Sequence, residues 1–260
     1  MYSKEELQSG LNTRTFGKKI FTYDSIDSTN ACAKTLAGTG AEEGTVVIAD
    51  HQTAGRGRLG RTWQAESGSN LLFSAIIRPK LEINRIGLLP FFAAAGVALA
   101  LENITGSRCE CKWPNDVLLN GKKCCGILME SSFQHNVLDY AIIGIGVNVN
   151  QKLFSEDLKD RATSLSQEYG MEFDRRKIFQ QIMKSLELLY GEIKSGKFEV
   201  TLHEWKARTK MFGKQVTLTQ AGEHLHGRAM SLSADGGLVL ATTDGQRVCY
   251  AGDVTFTMQS

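Results

Sequence analysis

Residues 44–77 read GTVVIADHQTAGRGRLGRTWQAESGSNLLFSAII. Gly44 to Asp50 is β-branched and reads as a buried strand, and Leu71 to Ile77 reads as another. Between them, Gly55-Arg56-Gly57-Arg58-Leu59-Gly60-Arg61 satisfies the G-x-G-x-x-G spacing of a dinucleotide-binding turn. Such a turn must open a helix whose N-terminus faces the pyrophosphate. Thr62 to Ser69 has no helical apolar period and leads into a strand, so the motif lacks its context. What remains is a glycine-flexible, arginine-dense loop between two strands. Guanidinium forks bind phosphate and carboxylate oxygens bidentately, which suits the loop to closing over a polyanionic substrate; a solvated surface loop is the plain alternative.

Outward from this stretch the pattern alternates between strands and helices. Phe16 to Asp27 is strand-like, and Ser28-Thr29-Asn30 reads as the N-cap of a helical run from Ala31 to Ala37 that Gly38 stops. A helix from Ile86 to Asn103, with Asn84 as N-cap, is apolar nearly all round. Between Cys109 and Glu130 two strand runs flank Asn120-Gly121, which predicts a type I′ hairpin. A strand follows from Tyr140 to Asn150. Ile178, Ile182, Leu186, Leu189 and Ile193 keep helical spacing over Arg175 to Lys194, closed by Gly196, and a further helix is expected near Glu199 to Thr209. Beyond Phe212-Gly213 only short alternating runs appear: Val216 to Thr219, Leu225 to Ser231, Leu238 to Thr242, Gln246 to Tyr250 and Val254 to Met258. The expected fold is an α/β (α+β) domain over 1–211, with a mixed central sheet flanked by helices. A small all-β barrel over 212–260 should lean on it.

Composition narrows the class. With 260 residues, 42% hydrophobic, 22% charged and only 3 prolines, the chain is globular rather than fibrous or disordered. A net charge of +2 is too small for a dedicated nucleic-acid binder. The six cysteines lack the spacing of a disulfide framework or a C-x-x-C zinc site and read as reduced thiols, and His224-x-His226 reads as strand histidines rather than half a metal site. The start, MYSKEELQSGLNTR, has no export signal, and the longest apolar stretch, Ile86 to Leu101, falls short of the ~20 residues that span a bilayer. A cytoplasmic protein with no membrane contact is expected.

The chemistry-bearing segments follow from residue type and spacing. The Gly-Lys pairs at Gly17, Gly121, Gly196 and Gly213 are never followed by Ser or Thr, which excludes a P-loop. Cys111-Lys112-Trp113-Pro114-Asn115-Asp116 sets a cation, a rigid turn and a carboxylate just before the hairpin. Lys122 and Lys123 open the return strand, where neighbours face opposite ways; one can point into a site, and parity does not say which. In Gly144 to Asn150, Gly144, Gly146, Asn148 and Asn150 share one face. A side-chain-free strip ending in an amide admits a flat ring, although a bulge or close packing would also explain the glycines.

Taken together, these segments resemble the biotin protein ligase family: Asp27-Ser28-Thr29-Asn30, Gln52 to Trp63, Lys112 to Asp116, Lys123 through Gly126-Ile127-Leu128-Met129-Glu130, and Gly144 to Asn150. The resemblance covers about residues 14–258, and the terminal β region is similar to that family's SH3-like barrel. It implies that ATP activates biotin to biotinyl-5′-AMP and that a lysine of a carboxylase's biotin carboxyl carrier domain then displaces AMP. It also implies roles. Ser28, Thr29, Asn30, Gln52, Arg56, Gly57, Arg58 and Lys123 would hold biotin. Gly55, Arg56, Arg58, Arg61, Trp63, Lys112 and Asn148 would hold ATP and the adenylate. Arg58, Lys123 and Asp116 would be catalytic, with Asp116 organising Mg²⁺ or aiding amine deprotonation, and Lys123 rather than Lys122 would face the site. The helix-turn-helix domain of some members would need ~60 residues ahead of the catalytic pattern, which starts here within the first 20; no DNA binding and no repressor role are expected. Exposed sheet strands could pair two copies as a homodimer. The rivals are a lipoate-type ligase and a nucleic-acid-binding module that uses the Gly-Arg loop.

Overall fold

A computed structural model describes residues 2–135 and 137–256. Seven strands form the central sheet: β1 (Ile20–Ile26), β2 (Val46–Gln52), β3 (Leu71–Ile77), β4 (Glu110–Lys112), β5 (Asp116–Leu119), β6 (Lys122–Gln134) and β7 (Val137–Val147). Their order is β1-β2-β3-β7-β6-β5-β4, with β1 and β2 parallel and the other pairs antiparallel. This is the mixed sheet the sequence predicts. All seven residues of β3 are buried because both faces of the sheet are covered. On one face lie α3 (Leu89–Thr105), α5 (Arg175–Lys194) and α6 (Phe198–Lys206), with Phe73, Phe91, Phe92, Ile182 and Trp205 in the main core. The other face carries α2 (Thr29–Gly38), whose Ala33 and Ala37 meet Val47, Ile76 and Ile142.

The helices form where their ends are satisfied. Asp174 caps α5 by accepting from the Arg176 and Lys177 amides, and Ser28 caps α2 by accepting from Ala31 N. α3 starts later than the sequence suggests. Residues Ile83–Leu88 form a tighter 3-10 turn that contains Asn84, which therefore caps nothing, and the α-helix starts at Leu89. Pro90 is the cause: an α-helix running through it would set its ring against the Ile86 carbonyl, whereas in a first turn its missing N–H costs nothing. Together these turns make Ile83–Thr105 a 23-residue helical run, apolar enough to cross a membrane by length and composition, which is longer than the predicted stretch. Of its most apolar 18-residue window 72% is buried inside the fold, and the run serves as a core helix. Gly96 lets it approach α5, since a Cβ there would stand 2.8 Å from Leu186 Cδ2.

Other boundaries also differ. β4 and β5 are separate strands around the Trp113-Pro114 corner, so three strands rather than two span Glu110 to Gln134. The Asn120-Gly121 turn is present, with φ of 48° and 81°. β7 ends at Val147, short of the predicted Asn150. Two five-residue helices, α1 (Lys4–Gln8) and α4 (Leu165–Tyr169), escaped the sequence reading because one turn carries no period.

The C-terminal strands β8 (Gln215–Gln220), β9 (Glu223–Leu232), β10 (Leu238–Thr242), β11 (Gly245–Cys249) and β12 (Asp253–Phe256) form a second, antiparallel sheet in the order β11-β10-β9-β8-β12. The predicted extension of the last strand to Met258 lies outside the described residues. His224 and His226 are exposed on β9 beside the hydroxyls of Thr219 and Thr217. This sheet is seated firmly. Trp113 Nε1 donates to Gly236 O at 3.2 Å, and a Cβ on Gly87 would stand 2.4 Å from Asp235 O. β12 is thereby brought to the mouth of the cleft described next.

Candidate functional site

The cleft opens where the ends of β2, β6 and β7 meet the N-terminus of α2. It encloses about 460 Å³ of empty space, its open mouth included. One end is polar, formed by Ser28, Thr29, Asn30 and Gln52. The walls are Phe73, Ile127, Leu128 and Ile145, and the other end carries Arg56, Gly57, Trp63 and Lys123. Eight of the residues predicted for a site thus share one cavity.

The arginine loop is not a free coil. Trp63 N donates to Gly55 O at 3.0 Å, Gly57 N donates to Arg61 O at 2.7 Å, and Arg56 and Thr62 pair across as an antiparallel bridge. The result is a small hairpin flap whose tip, Arg58–Gly60, is a 3-10 turn with Leu59 at φ 55° and Gly60 at φ 74°. The flap is folded down. Arg58 Nη1 donates to Asn115 Oδ1 at 3.2 Å, and Arg61 pairs with Asp253 on β12. Burial draws the Arg58 guanidinium below its ordinary value, against the pull of Asp253 and Asp116.

The glycine strip holds a flat ring, and in this structure the ring is Trp63. A Cβ on Gly146 would stand 2.6 Å from Trp63 Cε2, and one on Gly126 would stand 2.7 Å from Cζ3. Gly144 leaves room for Asn30, whose Oδ1 would be 2.2 Å from its Cβ. Two polar atoms on this side lack partners among the described residues: Trp63 Nε1 and Asn148 Oδ1. Asn148 is buried, its Nδ2 spent on Thr163 O at 3.1 Å, so a donor from outside the protein would complete it. Asn150 does not extend the strip, because its amide is tied to the Phe173 backbone.

The lysine pair separates as strand alternation requires. Lys123 lines the cleft, with Nζ 2.6 Å from Asp116 Oδ1 and 5.6 Å from the Trp63 ring centroid. Lys122 reaches outward, 3.5 Å from Lys159 O. The 161–163 segment steadies Lys123 from outside the sheet: Lys123 N donates to Arg161 O, and Thr163 N donates to Lys123 O.

The remaining predicted residues stand just outside the cavity. Gly55 hinges the flap, Asp116 holds Lys123, and Lys112 pairs in register with Asp116 across β4 and β5. Burial pushes the Lys112 ammonium below its usual range, while Asp116 pulls the other way. Sequence reading missed Asn115 and Asp253 as partners of the flap, and it missed Ser74 and Glu130 beneath the polar end. The buried thiols do not take part; burial pushes Cys109 up to about 12.

A site of this shape, with an acceptor-lined end, apolar walls and cations at a ring-covered floor, suits an acid that must meet a nucleotide. Comparison with known proteins agrees. The family model described as Biotin/lipoate A/B protein ligase family matches residues 22–148, and that of the Biotin protein ligase C terminal domain matches 211–256. The Bifunctional ligase/repressor BirA of Bacillus subtilis is 36% identical over 254 residues, covering 97% of this chain and 78% of that protein. The Biotin--[acetyl-CoA-carboxylase] ligase of Paracoccus denitrificans is 32% identical, covering 88% of this chain and 97% of that protein. The structure of biotin protein ligase from Aquifex aeolicus in complex with biotin and ATP superposes with a TM-score of 0.79 at 32% identity, covering 93% of this chain and 100% of that one. With the catalytic and C-terminal family models both matched and relatives at 32–36% identity covering most of the chain, the chain belongs to the biotin protein ligase family.

Proposed function

We propose that this ligase activates biotin with ATP to biotinyl-5′-AMP and transfers it to a lysine of a carboxylase's biotin carboxyl carrier domain. The observation that carries the reading is the single cleft in which Ser28, Thr29, Asn30 and Gln52 face Lys123 and Arg56 across apolar walls. Biotin's polar head would sit at the first end and its carboxylate near Lys123. A carboxylate oxygen attacks the α-phosphorus, and pyrophosphate leaves. The two reactants are both anionic, and each unit-charge repulsion at 4 Å costs about 4 kcal/mol at an effective dielectric of 20, so fixed cations are required. Lys123, Arg56, Arg58 and Lys112 supply them. In the second step the carrier lysine attacks the acyl carbon and AMP leaves.

Adenine would pack on Trp63 and donate to the unpartnered Asn148 Oδ1. Mg²⁺ fits as a companion of the phosphates rather than a resident ion. Among the described residues no group of three or more His, Cys, Asp or Glu could hold a metal, and Asp116 would supply one carboxylate. The flap would keep water from the mixed anhydride until the carrier domain docks. The reading takes the protein as cytoplasmic and leaves the repressor half of the Bacillus relative's name aside; a sequence-specific mobility shift on DNA would overturn that.

The test is incubation with ATP, Mg²⁺ and biotin, followed by mass spectrometry for biotinyl-AMP and for a labelled carrier domain, with lipoate in parallel. Adenylation of lipoate in preference to biotin refutes the substrate assignment.

A further inference from the structure

Residues 161–166 run into the fork where β6 and β7 part. The β6–β7 pairing ends at Cys125 and Val147, and one bond beyond it, from Asn148 N to Cys124 O, still joins the two chains. Past that point the segment holds both. On one side Lys123 N donates to Arg161 O at 2.8 Å, and Thr163 N donates to Lys123 O at 2.9 Å. On the other, Leu165 N donates to Asn148 O at 3.1 Å, and Ser166 N donates to Val149 O at 2.8 Å.

Thr163, buried at 1% exposure, is the residue that meets both Lys123 and the Asn148 side chain. Its carbonyl accepts from Asn148 Nδ2 at 3.1 Å. A carbonyl can only accept, so it turns the amide nitrogen toward itself and leaves Asn148 Oδ1, unpartnered among the described residues, as an acceptor. The Thr163 hydroxyl has one hydrogen, which it donates to Glu168 Oε1 at 2.6 Å. The other oxygen of that carboxylate accepts from Asn120 Nδ2, in the turn that opens the strand carrying Lys123. Glu168 itself stands on α4, half-buried and not part of the cleft lining.

We propose that Thr163, anchored by Glu168, is a positioning residue for the first step: it fixes the Lys123 cation and the Asn148 acceptor as one unit, so that the base and the reacting phosphate of the nucleotide are placed together. The inference rests on the ligase reading above and deepens it. Neither Thr163 nor Glu168 touches a substrate. They set where two groups stand that do, one on each side of the fork. Without the tether the backbone bonds along 161–166 remain, but the Thr163 carbonyl is free to drift. The Asn148 amide follows it, because that carbonyl is the partner of its nitrogen. Small displacements at a reacting centre are expensive.

The experiment measures kcat/KM for formation of the biotinyl nucleotide by the full chain, with ATP and with purine riboside triphosphate, which lacks the 6-amino donor. The unaltered protein should prefer ATP by about 10- to 100-fold, the cost of leaving the buried Asn148 oxygen unpaired. Thr163→Val keeps the shape and removes the hydroxyl; it should slow the reaction with ATP by about tenfold and cut the preference at least threefold. Thr163→Ser keeps the hydroxyl and should restore the preference to within twofold. Glu168→Ala, at a half-buried position that water can fill, should repeat the Thr163→Val result, and it decides the matter if Thr163→Val does not fold. A general loss of stability would slow both nucleotides alike and leave their ratio unmoved. A preference that falls less than threefold overturns the proposal, as does a Thr163→Ser protein that behaves like Thr163→Val, or an unaltered protein that does not distinguish the two nucleotides. These results leave the ligase reading standing as long as ATP and biotin give the adenylate; an unaltered protein that forms none sinks that reading instead.

Discussion

Replacing Gly146 by alanine isolates the contact between the strip and the indole. Gly146 pairs with Leu72 and Gly126 in the middle of the sheet and does not need positive φ, so the backbone accepts a Cβ. The added carbon would stand 2.6 Å from Trp63 Cε2, 2.7 Å from Cζ2 and 3.0 Å from Nε1. Carbon atoms at optimal separation sit about 3.5–4.0 Å apart, so the ring must lift by roughly 1 Å, because the sheet beneath cannot yield. The Trp63 amide is tied to Gly55, so the ring carries the flap with it. A displacement of about 1 Å at a reacting centre can cost on the order of 100-fold. Gly146→Ala should therefore lower biotin-dependent pyrophosphate exchange by about that factor. The melting temperature should fall, because the lifted ring gives up its packing on the strip. Exchange within threefold of the unaltered protein, with the melting temperature also unchanged, would refute the claim that the strip positions the ring.

Three further outcomes follow from the same geometry. Lys123→Ala should cut adenylate formation by about 100- to 1000-fold, the usual cost of one fixed charge-stabilising donor, whereas Lys122→Ala should stay within about twofold; single-turnover AMP formation reads both. Asp253→Asn should speed escape of the adenylate only up to about fivefold, since an ion pair as exposed as Arg61–Asp253 is worth about 1 kcal/mol or less, while Arg58→Gly should release it far more; bystander-amine labelling measures the difference. Glu43 responds to pH. Although burial opposes it, hydrogen bonds from Lys194, Tyr190 and the Arg78 amide hold its carboxyl below the ordinary 4.5. A depressed carboxylate stabilises the fold above its unfolded-state pKa and loses that contribution as pH falls through the folded value. Melting temperatures followed downward from pH 6 through that window should drop less in Glu43→Gln than in the unaltered protein, and parallel curves would refute the assignment.

What the sequence disclosed were groups that are neighbours along the chain. The flap is one continuous loop and Gly144 and Gly146 alternate on one strand, so residue type and period marked them, whereas the consecutive Ser28, Thr29 and Asn30 read as a helix cap and entered the site only through the family resemblance. The hidden parts needed three dimensions. Asp253 lies 192 positions from Arg61, and only the seating of the second sheet brings them together. Ser74 sits within a strand whose seven residues are all buried, where a lone serine breaks no pattern. The α3 boundary failed for a local reason, since apolar period runs through Pro90 while backbone geometry does not. Strand parity left Lys122 and Lys123 open, and the ion pair with Asp116 decides between them.

The indole on the glycine floor also makes the protein report on itself. Of its three tryptophans, Trp113 and Trp205 are sealed in the interior at 2% and 0% exposure, while Trp63 alone borders the cleft with an ammonium beside its face. Light emitted from the two interior rings supplies a constant background. Any change in colour or intensity when a small molecule enters arises at one residue, so occupancy can be followed optically in real time without attaching a dye.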